Sequence, residues 1–172
     1  MTLAVRPDWD TWAMGIAQAV STRGDCTRRQ VGAVLLDGAH RVIGCGYNGG
    51  PRGGESCLAG ECPRGRHYRY GEPHAYSVPE RESDRVEWTP GRCACGRPWP
   101  CPEAVAPGSS YDTGPGMCVA VHAEMNALLD VSDRSRLVGA TMYITEQPCG
   151  GCLKILKNTE IQTFVWPGGR IG

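Results

Sequence analysis

The sequence predicts an α/β fold, a three-layer α/β/α sandwich built on a mixed sheet of four or five strands. Three observations carry that expectation. Two short runs rich in β-branched and apolar residues, 31–36 and 41–47, flank Asp37-Gly38 and read as two strands joined by a hairpin turn. The C-terminal part alternates helix, strand, helix, strand, and a β-α-β order requires a parallel crossover. A further helical pattern precedes the first strand, so helices are available to cover the sheet.

Each element has its own signal. Trp9, Trp12, Ala13, Ile16, Ala17 and Val20 recur at helical spacing, with Asp8 placed as an N-cap after Pro7. In the second strand, Cys45 lies between Gly44 and Gly46, where a small buried thiol needs no function. A helix is expected over about 120–130, a strand over 142–145, a helix over about 149–159 and a strand over 161–166.

The stretch 63–116 differs in kind. Most of the chain's 13 prolines fall there, with little apolar periodicity, so it is expected as an irregular insertion in a single domain spanning 1–172. So long a structureless segment is unusual in a compact domain and calls for disorder or a staple. Cys93, Cys95 and Cys101, with His67 and His74 upstream, are candidate ligands of an insertion zinc.

Composition narrows the function classes. The 172 residues are 41% hydrophobic and 21% charged, which is ordinary for a globular protein. Formal net charge is +0, which leaves no bulk electrostatic footprint for nucleic acid or an anionic membrane. The basic and aromatic cluster Arg64-x-Arg66-His67-Tyr68-Arg69-Tyr70 is the one local exception, and it reads as a solvated loop. No apolar run is long enough to span a membrane, and the first residues are too few and too polar for a secretory signal, so a cytoplasmic location is expected. Ten cysteines in such a chain argue for metal binding over disulfides.

Chemistry concentrates in two motifs, His122-Ala123-Glu124 and Pro148-Cys149-x-x-Cys152. Two residues apart on a helix, His122 and Glu124 point about 200° from each other, so one site uses both only across the helix's N-terminal end. Cys149 and Cys152 share a face in a first turn, and Pro148 suits a helix start. Unpaired N–H groups there favour thiolates. Two helix ends facing one zinc would supply His122, Cys149 and Cys152, with a fourth position for water and Glu124 as the proton carrier. A structural Cys3His zinc that also uses Cys118 is the alternative, but it gives Glu124 no role.

With these motifs in place, the chain resembles the deoxycytidylate deaminase branch of the zinc-dependent cytidine deaminase superfamily. The likeness covers roughly 9–60 and 117–166. It rests on Cys26-Thr27-Arg28, Val31-Gly32-Ala33-Val34, Gly46-Tyr47-Asn48-Gly49, His122-Ala123-Glu124-Met125-Asn126-Ala127, and Thr141-Met142-Tyr143-Ile144-Thr145 before Pro148-Cys149. The His-x-Glu followed by Pro-Cys-x-x-Cys is also the general signature of zinc deaminases.

The resemblance implies a cytidine deaminase-like sandwich and hydrolysis of dCMP to dUMP and ammonia. A 5-substituted dCMP, CMP, a tRNA-adenosine-type nucleic acid substrate, or a non-enzymatic zinc-stapled binding module are the alternatives. It further implies one catalytic zinc on His122, Cys149 and Cys152, with Glu124 shuttling protons. Asn48, the Ala123 backbone and Arg28 would contact the nucleotide, Arg28 through phosphate. Cys26, Cys57, Cys62 and Cys118 stand where relatives carry a second zinc. A homo-oligomer is implied as well. Two departures from the family pattern stand out: the chain runs only briefly past Trp166, so the final helix and strand of relatives are expected to be absent, and Glu146-Gln147 precedes Pro148.

Overall fold

The structure is a computed structural model and describes residues 6–26, 29–62, 93, 97, 98 and 118–172. The chain divides into two compact units, one of Met1–Gly24, Gln30–Gly49 and Val121–Gly172, the other of Asp25–Arg29 and Gly50–Ala120. The first unit carries every helix and strand of the described residues. In chain order these are α1 (Trp9–Ser21), β1 (Gly32–Leu36), β2 (Val42–Tyr47), α2 (Ala123–Asp130), a 3-10 turn (Arg134–Leu137), β3 (Thr141–Ile144), α3 (Gly150–Leu156), β4 (Thr163–Trp166) and β5 (Gly169–Ile171).

The five strands form one mixed sheet in the order β2-β1-β3-β4-β5. β1 pairs antiparallel with both β2 and β3, and β3 pairs parallel with β4 across the α3 crossover. Burial on both faces makes all five residues of β1 inaccessible, and alternation sorts them. Ala33 and Leu35 join Met142, Ile144, Ala123, Ala127, Cys152 and Leu156 in a core under α2 and α3, while Val34, Leu36 and Tyr143 pack with Ala13 and Ala17 of α1 on the opposite face. The expected three layers are therefore present.

α1 begins as its pattern predicts, with the Asp8 carboxylate accepting from the Thr11 N–H at 2.7 Å. Its first aromatic residues do not enter the core. Trp9 and Trp12 keep 42% and 38% of their surface exposed. Their rings pack instead on each other and on neighbours, Trp9 lying parallel to His40 at 4.4 Å and under the Arg6 guanidinium.

Of the four or five strands expected, the sheet has five, the last formed by residues that follow Trp166. Pro167 and Gly168 turn the chain, Gly168 at φ +83°, and β5 pairs antiparallel with β4. Pro followed by a left-handed Gly is the arrangement a type II turn requires. The Trp166 ring lies over Gly169, where a Cβ would fall 2.3 Å from it. Arg170 of β5 holds the Asp10 carboxylate of α1, which also accepts the Tyr143 hydroxyl of β3 at 2.8 Å. Burial, then this bond to Asp10, pushes the Tyr143 phenol up to about 12.

Cys45 also departs from expectation, since it is exposed and its glycine neighbours are the buried residues. Period-two alternation turns Gly44 and Gly46 onto α2 and Cys45 away from it. A Cβ on Gly46 would lie 2.2 Å from the Ala127 nitrogen and 2.5 Å from the Ala123 carbonyl oxygen, so helix and strand meet backbone to backbone. At the far end of α2, Asp130 accepts the Cys45 N–H at 3.0 Å, which occupies a donor on the sheet's edge strand. Gly46→Ala is expected to destabilise the protein by about 1–3 kcal/mol through overpacking. It should also lower activity by displacing the first turn of α2; urea unfolding and turnover on one preparation measure both.

Candidate active site

His122 is the N-cap of α2 and Glu124 lies in its first turn; Cys149 is the N-cap of α3 and Cys152 lies in its first turn. The cap positions explain how residues of unfavourable helical spacing reach one point. His122 and Cys149 have extended backbones, with ψ 150° and 161°, and stand outside the helical repeat. The Cys149 sulfur accepts the Cys152 N–H at 3.4 Å, so a thiolate there satisfies a helix-end donor.

The ligand atoms of His122, Cys149 and Cys152 all lie within 4.8 Å of one another. His122 Nδ1 is 3.2 Å from Cys152 Sγ and 3.5 Å from Cys149 Sγ. Tetrahedral zinc, with bonds of about 2.0–2.1 Å to nitrogen and 2.3 Å to sulfur, separates such atoms by about 3.5 Å. The donor set fits a zinc ion with one coordination position left over. Glu124 is only 4% exposed and lies against Cys152, whose thiol is pushed up by burial and then by the negative charges of Glu124 and Cys149. A divalent cation reverses that preference, because a coordinating thiol is deprotonated outright.

Asn48 reaches the same region through the backbone. Gly49 and Val121 exchange two hydrogen bonds, of 3.2 and 2.7 Å, so Asn48 and His122 are next to opposite ends of one bridge. Asn48 is 8% exposed, and its Oδ1 accepts the Val31 N–H at 2.8 Å. Ala123, fully buried, begins α2 between His122 and Glu124. Glu146 and Gln147 are exposed in the loop that leads from β3 to Pro148. Arg28 lies outside the described residues, as do Cys95, Cys101, His67, His74 and the Arg64–Tyr70 cluster.

The second unit holds its own sulfur cluster. Cys57, Cys62 and Cys118 place their sulfurs within 4.8 Å of one another, with 3.9 Å between Cys62 and Cys118. Zinc–sulfur bonds of about 2.3 Å in a tetrahedron put sulfurs about 3.8 Å apart. The Cys57 thiol is pushed up by hydrogen bonding with Cys118, then with Cys26 and Cys62, which places Cys26 at the same cluster. Cys118 thus belongs to this group, and His122 is grouped with Cys149 and Cys152. Cys93 is buried, its N–H donating to the Arg97 carbonyl at 2.9 Å.

Asp25 organises this unit and is not singled out by any sequence motif. Burial opposes its ionisation, but donors from Ser56, Cys57, Gly50 and Leu58 outweigh it and hold the carboxyl below its ordinary range. The bonds from Ser56 Oγ and the Cys57 N–H measure 2.8 and 2.9 Å. An aspartate just before Cys26 was the only signal available for it.

The family model described as the cytidine and deoxycytidylate deaminase zinc-binding region matches residues 7–167. The chain belongs to the cytidine and deoxycytidylate deaminase family. Within that deaminase family it is 39% identical over 162 residues to deoxycytidylate deaminase of Mycobacterium phage D29, covering 94% of this chain and 96% of that one. It is 32% identical over 161 residues to the deoxycytidylate deaminase of Schizosaccharomyces pombe, covering 94% of this chain and 37% of that longer protein. The dCMP deaminase of cyanophage S-TIM5, crystallised with dCMP and dUMP, shares the deaminase fold with a TM-score of 0.52 at 18% identity, covering 95% of this chain and 83% of that one. Among the described residues no helix is long and apolar enough to cross a membrane.

Proposed function

We propose that this chain hydrolyses dCMP to dUMP and ammonia, with zinc held by His122, Cys149 and Cys152. The observation that carries the reading is the convergence of two helix N-termini, which sets one nitrogen and two sulfurs beside a buried carboxylate that the ligand set does not need. When bound, zinc supplies the Lewis acidity that makes water a nucleophile at neutral pH. Glu124 accepts a proton from that water, delivers it to N3 as C4 of cytosine is attacked, and carries a second proton to the departing amine. Water and dCMP then balance dUMP and ammonia.

The remaining residues bind and orient. Asn48, whose Oδ1 is fixed by the Val31 N–H, would contact the nucleotide. The Ala123 backbone would orient the amino group, and Arg28 would serve the phosphate. Cys26, Cys57, Cys62 and Cys118 would hold a second, structural zinc; the grouping of the Cys57, Cys62 and Cys118 sulfurs within 4.8 Å, with Cys26 hydrogen-bonded to Cys57, supports that reading.

Offering dCMP, dCTP, CMP, deoxycytidine and 5-methyl-dCMP to the purified protein, with ammonia release as the signal, tests the substrate. The highest kcat/KM is expected for dCMP. The exposed Glu146 and Gln147 make 5-methyl-dCMP the informative competitor, and preference for it would move the assignment to a 5-substituted nucleotide. Inactivity on all five would displace the cytosine assignment.

A further inference from the structure

The Tyr47–Asn48 peptide and the helix that carries Glu124 are joined by a hydrogen bond that neither the ligand set nor the proton transfers use. Asn126, in α2, donates through Nδ2 to the Tyr47 carbonyl oxygen at 2.7 Å. That carbonyl belongs to the peptide whose N–H is Asn48's own, and this N–H donates to the Val31 carbonyl at 3.1 Å. The peptide is thus held by α2 on one side and by the residue preceding β1 on the other. Beside it, Gly46 brings the strand into backbone contact with Ala123 and Ala127.

Asparagine is a poor choice for a helix on local grounds, because its side chain competes for backbone groups. Here the Asn126 backbone N–H is already spent on the His122 carbonyl at 3.0 Å, so only a side-chain donor can reach across to Tyr47. A locally unfavourable residue satisfied by a distant carbonyl marks a tertiary requirement.

We propose that Asn126 is a positioning residue, which sets Asn48 at a fixed spacing from Glu124 and so tunes the site for its nucleotide. The proposal rests on the dCMP reading and on Asn48 as a substrate contact. Asn126→Leu keeps the branched heavy-atom skeleton and removes the donor. It should lower kcat/KM for dCMP about tenfold through KM, the size of effect one lost hydrogen bond produces, with kcat within about threefold and zinc content unchanged. In an Asn48→Ala background the same change should cost less than about twofold, because residues that act through one another are not additive.

Asn126→Asp keeps the shape and replaces the donor by an acceptor, and it should show the same KM defect if the leucine variant folds poorly. Hydrogen exchange supplies an arm that needs no turnover. The Asn48 amide should exchange about tenfold faster in Asn126→Leu, while the amides of Val34 and Leu35 keep their protection. Additive losses in the double variant, or an Asn48 amide that exchanges as in the wild type, would overturn the proposal. Wild-type inactivity on dCMP would instead sink the substrate reading and leave the exchange result to decide the role of Asn126.

Discussion

Glu124→Gln is expected to keep the metal and lose about 10²–10⁴ in kcat, or more, since general acid–base positioning contributes on that scale. Glutamine matches the volume of a side chain that is 4% exposed, so the core around α2 has no reason to rearrange. It cannot take a proton from water. The zinc ligands are His122, Cys149 and Cys152 in the proposed site, so metal analysis should return the wild-type zinc content. Ammonia release above about a tenth of the wild-type rate, from protein with full zinc, would remove Glu124 from the proton-carrying role.

Cys149→Ala should abolish turnover and lower the bound zinc by one equivalent, because only one nitrogen and one sulfur remain of a three-ligand set. The contrast with Cys62→Ser makes the experiment specific. Cys62 lies in the other sulfur group, and its loss should lower thermal stability and zinc content while the chemistry at Glu124 stays intact. Equal effects of the two substitutions on kcat, measured at a temperature where both variants are folded, would count against two separate metal sites.

Much of the fold and the centre of the site were legible because their signals are local. Helical spacing placed α1, short apolar runs rich in β-branched residues placed β1 and β2, the helix–strand alternation placed β3 and β4, and spacing alone required that His122 and Glu124 meet at a helix end, as their positions in α2 allow. What escaped depends on partners distant in the chain. Gly44 and Gly46 read as the flanks of a buried Cys45, yet the approach of α2 is what needs them. Asn126 stood inside a quoted motif with no role, since nothing local announces a bond to Tyr47. The place of the fifth strand was not assigned, because three residues carry too little alternation to register, although Pro167-Gly168 was a readable turn signal. The outward rings of Trp9 and Trp12 show the converse limit, because periodicity assigns a face but cannot say how far the core extends along it.

The paired hydrogen bonds between Gly49 and Val121 have a consequence in polymer terms. They close the whole excursion Gly50–Ala120 at its base, one residue from Asn48 and one from His122. Closure entropy rises only with the logarithm of loop length, at about 0.6 kcal/mol for each doubling. The bridge, and not the number of residues between Gly50 and Ala120, therefore sets the separation of Asn48 and His122.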